Sequence, residues 1–119
     1  MKIEDTKRII IKIGSSLLFN SETKKHNKEW LISLAEDVNF LKNQNKDVII
    51  VSSGAIAFGA KDLNLEMSEL RLDIHQALAA IGQINLMSAF KNAFEKYESK
   101  VSQILLTLDD TEKRRRSIN

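Results

Sequence analysis

Two short, almost wholly apolar and β-branched runs constrain this chain most: Arg-Ile-Ile-Ile-Lys-Ile at Arg8–Ile13 and Val-Ile-Ile-Val at 48–51. Isoleucine and valine with little alternation suit strands covered on both faces, as in a parallel sheet. Between the two runs, from Lys28 to Asn43, Trp30, Leu31, Leu34, Ala35, Val38 and Leu41 recur at spacings of three and four, which puts them on one helical stripe. A strand, a helix and a second strand at Asp47 to Val51, joined by so long a connection, predict parallel pairing through a right-handed crossover. The fold class read from this order is α/β.

The remaining segments extend the pattern. Gly14, Ser15 and Ser16 break the first strand, and the polar stretch Asn20 to Asn27 suits a loop or a helix start. Ser52, Ser53 and Gly54 end the second strand, and Ala55 to Lys61 can open a helix. Glu66 to Tyr97 contains a long helical stretch that Gly82 weakens by up to about 1 kcal/mol relative to alanine, leaving one bent helix or two. Val101 to Leu106 predicts a third strand, and Asp109 to Asn119 the opening turns of another helix, with acids ahead of bases as the helix dipole prefers. No repeat, low-complexity tract or proline-rich linker marks a domain boundary. A three-stranded parallel sheet whose last strand has an open edge leads us to expect further chain beyond Asn119.

Composition excludes several classes of function. With 43% hydrophobic and 29% charged residues, the 119-residue chain is too apolar for intrinsic disorder. Its formal charge of +2 gives no field that would select nucleic acid or an anionic membrane. The basic run Lys113 to Arg116 follows Asp109, Asp110 and Glu112 and reads as a solvated helix face. Without cysteine there is no disulfide framework, thiolate nucleophile or cysteine-ligated metal. Met1 to Arg8 is polar and mixed in charge, which argues against a secretory signal, and no stretch approaches the roughly 20 apolar residues of a membrane span. A cytoplasmic location is the default expectation.

In open α/β sheets, ligands collect beyond the carboxyl ends of the strands, and two motifs fall there. The first is Lys12-Ile13-Gly14-Ser15-Ser16. A glycine admits an oxyanion close to the backbone, and an ammonium group neutralises its charge, so the motif suits a phosphate cradle. It equally suits a strand lysine reaching solvent before a plain turn, and it is not a Walker loop. The second, Val51-Ser52-Ser53-Gly54-Ala55-Ile56-Ala57, ends a strand and opens a helix. Small side chains and free amides there suit a phosphate or carboxylate, while the plainer reading has the serines capping the helix. Adjacent parallel strands would bring both turns to one edge, as a two-lobed anion site. That arrangement fits a phosphoryl-transfer enzyme or a binding domain for a phosphorylated ligand.

Three segments in order, Ile9–Ser16, Ile49–Ala57 and Gln76-Ala77-Leu78-Ala79-Ala80-Ile81-Gly82-Gln83, resemble the glutamate 5-kinases of the amino-acid kinase superfamily, and Gln103–Thr107 extends the match. The Ser-Gly-Ala-Ile-Ala loop followed by Ala-Ala-Ile-Gly-Gln is closer to that group than to aspartate, carbamate, acetylglutamate or uridylate kinases. The resemblance runs from Arg8 to Asn119. It implies a three-layer αβα sandwich with a mainly parallel sheet, the carbamate kinase-like fold, with residues 1–119 forming the N-terminal part of one incomplete kinase domain. It also implies transfer of the γ-phosphoryl group of magnesium-ATP to the side-chain carboxylate of L-glutamate, the first step of proline synthesis. By the family pattern, Lys12 serves the transferring phosphoryl group as the catalytic residue. Gly14 and Ser15 join it on the ATP phosphates, and Ser53, Gly54 and Ala55 serve glutamate. No protein metal ligands are implied, Mg2+ being bound through the nucleotide. A homo-oligomer and a downstream glutamyl phosphate reductase complete the implied partners, with no nucleic acid or membrane.

The chain also departs from the family. The Asn-Glu-Asn-Asp and Gly-Asp-Asn-Asp segments, the nucleotide-binding half and the carboxy-terminal RNA-binding-like module are not in it, and His75 stands where relatives often have lysine. His75 is read as structural or solvated. The small residues of Gln76 to Gln83 suit close helix packing, with an oligomer interface or support of the substrate loop as alternatives. Two other readings of the whole stay open: a non-catalytic binding or assembly unit, and a superfamily kinase with a different acceptor.

Overall fold

Arg8–Ile13 (β1) and Asp47–Ser52 (β4) pair in parallel, from Arg8 opposite Asp47 to Ile13 opposite Ser52. The computed structural model in which this sheet is seen describes residues 2–20, 22–65 and 72–105. Between the two strands lie the single turn of helix Ser15–Leu18 (α1), the short strands Phe19–Asn20 (β2) and Lys25–His26 (β3), and the helix Lys28–Asn43 (α2). Ala55–Asp62 (α3) and Leu72–Phe94 (α4) follow, and a 3-10 turn at Glu95–Tyr97 ends α4. The helix and both strands expected from periodicity stand at or within one residue of their expected bounds. The α/β class holds, with helices packed on a parallel sheet.

The core explains the order. Leu31, Leu34, Ala35 and Val38 form the buried stripe of α2 and meet Ile13 of β1, Phe58 of α3 and Leu86, Phe90 and Phe94 of α4. Ile11, Val48 and Ile50 back that cluster from the sheet. The ends of α2 and α3 are closed locally. Asn45 and Asn64 take left-handed backbone after α2 and α3, and the amides of Lys46 and Leu65 then reach back to the carbonyls of Leu41 and Ala60. Paired with the shorter bonds Asn45 to Lys42 and Asn64 to Lys61, these are Schellman closures that use asparagine where glycine is commoner.

Three expectations need correction. β1 and β4 are covered on one face only: Ile10 is 65%, Ile49 46% and Val51 47% exposed, because among the described residues the apolar core lies entirely on the other side. The run from Val101 to Leu105 is not a strand. Val101 packs on the core, but residues 101–105 pair with neither sheet strand, and Ile104 and Leu105 stand exposed. Leu106, like the helix expected at Asp109 to Asn119, lies outside the described residues. Finally, in place of a plain loop or helix start, Phe19–Asn20 and Lys25–His26 pair as a hairpin. The Asn20 side-chain oxygen accepts the amides of Glu22 and Thr23, and Lys24 turns left-handed, so that Phe19 pairs with His26 and Asn20 with Lys25.

Gly82 does not split the long helix, which runs unbroken over Leu72–Phe94. A Cβ there would overlap the Ala55 carbonyl oxygen and the Gly59 nitrogen, and one at Gly59 would overlap the Leu78 carbonyl, so α3 and α4 cross backbone to backbone at these two glycines. The N-terminus is held by Lys46, a nearly buried cation whose ammonium donates to the carbonyls of Ile3, Glu4 and Thr6 at 3.0, 3.2 and 2.5 Å. Among the described residues no helix is long and apolar enough to cross a membrane.

Candidate active site

The parallel register sets the geometry. Because Ile13 lies opposite Ser52, Gly14 and Ser53 leave the sheet side by side at the carboxyl ends of adjacent strands. Lys12 lies opposite Val51, and both point to the open face while Ile13 points into the core. Continued by one residue, the same alternation brings Ser53, also exposed, to the Lys12 side. Lys12 has no hydrogen bond or ion pair to any described residue, so its ammonium is available to a ligand.

Gly54 joins the two turns. Its φ of +154° with ψ of −7° is a conformation that suits glycine, and it starts α3 as the N-cap residue. A Cβ built there would lie 3.6 Å from Leu18 Cδ1 and 3.8 Å from Ser15 Cβ. The backbone of the second motif therefore rests on α1 of the first. Among the described residues no side chain caps α3, whose N-cap is Gly54, and the Ser52 hydroxyl goes to the Ser53 carbonyl instead, which removes the plainer reading of those serines. Gly14 differs: its backbone is extended at φ −74° and ψ 152°, and the space a Cβ would fill is open to 4 Å. Nothing in the described residues demands glycine there.

The two turns are also tied through aromatic packing. Phe19, directly after α1, has its ring 5.6 Å from that of Phe58 on α3, and His26 across the hairpin lies 5.9 Å from the same ring. Burial, then the nearby ammonium groups of Lys61 and Lys28, push the His26 imidazole below its ordinary pKa. These groups border a cleft of about 610 Å³ between α2, α3 and α4 that also takes in Asp62, Asn85 and Glu95. None of Lys12, Gly14, Ser15, Ser53, Gly54 or Ala55 lines it. The strand tips carry the chemistry expected of an anion site, whereas the cleft mixes cations and carboxylates without converging on a point. His75 sits half-buried on α4 and does not line the cleft.

Sequence reasoning missed Asn27. Its side-chain amide donates to the Leu17 carbonyl and its backbone amide to the Leu18 carbonyl, both at 2.8 Å, so one residue holds the end of α1. An asparagine ahead of a helical stripe signals an N-cap, and that signal points to α2 rather than to α1.

Over its full length the chain is 54% identical to a protein named glutamate 5-kinase from Pelagibacter ubique. It is 47% identical over 98% of its length to one so named from a Ruegeria species, and 47% over 95% to one from Paramagnetospirillum magneticum. The chain spans about a third of the length of these relatives, 32%, 32% and 30% respectively. The amino acid kinase family model matches residues 7–119, a span that takes in both strand-end motifs, and the chain belongs to the amino acid kinase family.

Proposed function

We propose that this chain is the N-terminal part of a glutamate 5-kinase domain, whose complete protein phosphorylates the side-chain carboxylate of L-glutamate with ATP. The observation that carries the reading is the meeting of two glycine turns at adjacent strand ends, beside a Lys12 that has no partner among the described residues. The naming of the similar proteins supports the choice of glutamate as acceptor.

In the reaction a carboxylate oxygen attacks the γ-phosphorus, the bond from that phosphorus to the β,γ-bridging oxygen breaks, and ADP leaves with the electron pair while the acyl phosphate forms. Such a transfer needs in-line placement and neutralised charge more than covalent help from the protein. Lys12 is assigned to the oxygens of the moving phosphoryl group. The open space at Gly14, with Ser15 next to it, fits an ATP phosphate, and Mg2+ would arrive bound through the nucleotide to neutralise further charge. Ser53 is assigned to glutamate, with the amides of Gly54 and Ala55 as further donors. Keeping acceptor and donor on neighbouring strands makes their encounter intramolecular, which is where positioning lowers a barrier. The acyl phosphate suits prompt use by a reductase, and we place the complete protein in the cytoplasm as a homo-oligomer.

The complete protein, given labelled ATP and glutamate, is expected to form an acyl phosphate that hydroxylamine traps as a hydroxamate. Trapping with aspartate but not glutamate would overturn the choice of acceptor. Lys12→Ala is expected to lower kcat by about 100- to 1000-fold, the scale seen when one preorganised charge-stabilising group is removed. Turnover near wild type would remove Lys12 from the chemistry. The chain's share of its relatives' length favours a second statement: taken alone, the 119-residue chain is a binding or assembly unit without turnover.

A further inference from the structure

Asn27 occupies the N-cap position of α2, yet its side chain makes no capping bond to that helix. Asparagine is among the strongest N-cap residues because its oxygen can accept an orphan amide of the first turn. Here the side chain instead reaches back ten residues and donates to the Leu17 carbonyl at 2.8 Å. Its own amide takes the Leu18 carbonyl at 2.8 Å, while its carbonyl receives the Leu31 amide at 3.1 Å and so begins α2. One residue thus satisfies two carbonyls at the end of α1 and anchors that end to a long, well-packed helix.

A four-residue helix is too short to hold its own position, since a single turn fixes several dihedrals for few hydrogen bonds. What α1 positions is specific. Its first residue is Ser15, Gly14 immediately precedes it, and Leu18 and Ser15 are the groups against which Gly54 rests. We propose that Asn27 is a positioning residue for the phosphate-side turn: through the Leu17 and Leu18 carbonyls it keeps Gly14 and Ser15 in place for the nucleotide. This rests on the assignment of that turn to ATP phosphates made above. The side chain has given up capping, so its contribution is read at the nucleotide rather than in the stability of α2.

The test uses the complete protein and the variants Asn27→Asp and Asn27→Ala. Aspartate keeps the size and the capping ability but presents an acceptor, not a donor, to the Leu17 carbonyl. Asn27→Asp is expected to raise the KM for ATP about tenfold, as loss of one well-placed hydrogen bond would, while the KM for glutamate stays within about twofold. Asn27→Ala should show the same split, and it carries the test if the aspartate variant does not fold. Calorimetric titration with ATP alone separates the two levels of the claim. Wild-type protein that binds ATP, with Asn27→Asp binding it equally well, would overturn the positioning role and leave the functional reading standing. Wild-type protein that binds no ATP would overturn both. A rise in both KM values in proportion, with a lowered melting temperature, would make Asn27 a structural residue only.

Discussion

At the scale of single residues, Gly14 and Gly54 look alike in the sequence but differ in what they require. Gly54 is held at a positive φ with Ser15 and Leu18 in van der Waals reach, so a side chain there is strained by its own backbone. Gly54→Ala should lower the stability of the complete protein by about 1–3 kcal/mol, the usual cost of a non-glycine residue in a sparsely populated conformation. Gly14 has ordinary extended backbone and open space, so Gly14→Ala should leave stability unchanged or raise it by about 0.4–1 kcal/mol through the unfolded chain. If a phosphate occupies that space, the same variant should bind ATP more weakly. Thermal denaturation and ATP titration of the two variants check the pair, and tight ATP binding by Gly14→Ala would take the phosphate away from this position. Both glycines and Lys12 were legible as a motif at a strand end. Which glycine serves backbone and which serves space was not, because that depends on neighbours brought in from another strand.

At the scale of elements, the hairpin β2–β3 couples the two turns by packing Phe19 and His26 on Phe58. The His26 imidazole is held below 6.5 by burial, with Lys61 and Lys28 adding repulsion and Asp62 and Glu95 lining the same cleft. The unfolded chain therefore takes up a proton at a higher pH than the folded one. Stability conferred by neutral His26 is complete above 6.5 and is lost as pH falls through the lower, folded-state value. The melting temperature of wild type relative to His26→Gln should accordingly fall between about pH 7.5 and about pH 5.5. A constant difference would show that His26 does not titrate against folding. Legibility varied in the same way across elements. The stripe of α2 could be read because one face repeats at helical spacing. The hairpin could not, since strands of two residues are fixed by the Asn20 turn and by Phe58 far along the chain. The apolar run at Val101 suggested a strand, but pairing defines a strand and composition cannot supply the partner. Gly82 read as a weakness in a helix and proved to be where α3 and α4 touch.

At the scale of the whole molecule, the open face of the sheet is its least balanced feature. Ile10 lies directly opposite Ile49, and Val51 opposite Lys12, so three exposed apolar side chains surround the cation assigned to phosphoryl transfer. The two strands are also unpaired on their outer edges among the described residues. Bare apolar surface beside unpaired strand edges favours association. The 119-residue chain made alone should therefore bind a hydrophobic dye such as ANS and self-associate as its concentration rises. The double variant Ile10→Thr, Ile49→Thr keeps β-branched residues in both strands while making that face more polar, so it should reduce dye binding and association together. Sedimentation and dye fluorescence read both effects, and a monodisperse wild-type chain without dye binding would show the face to be covered. Lys12 projects from this same bare face, so any group packed on it would also set the surroundings of that ammonium. A chain with this face open should accordingly show no glutamate-dependent turnover, however well its strand tips are formed.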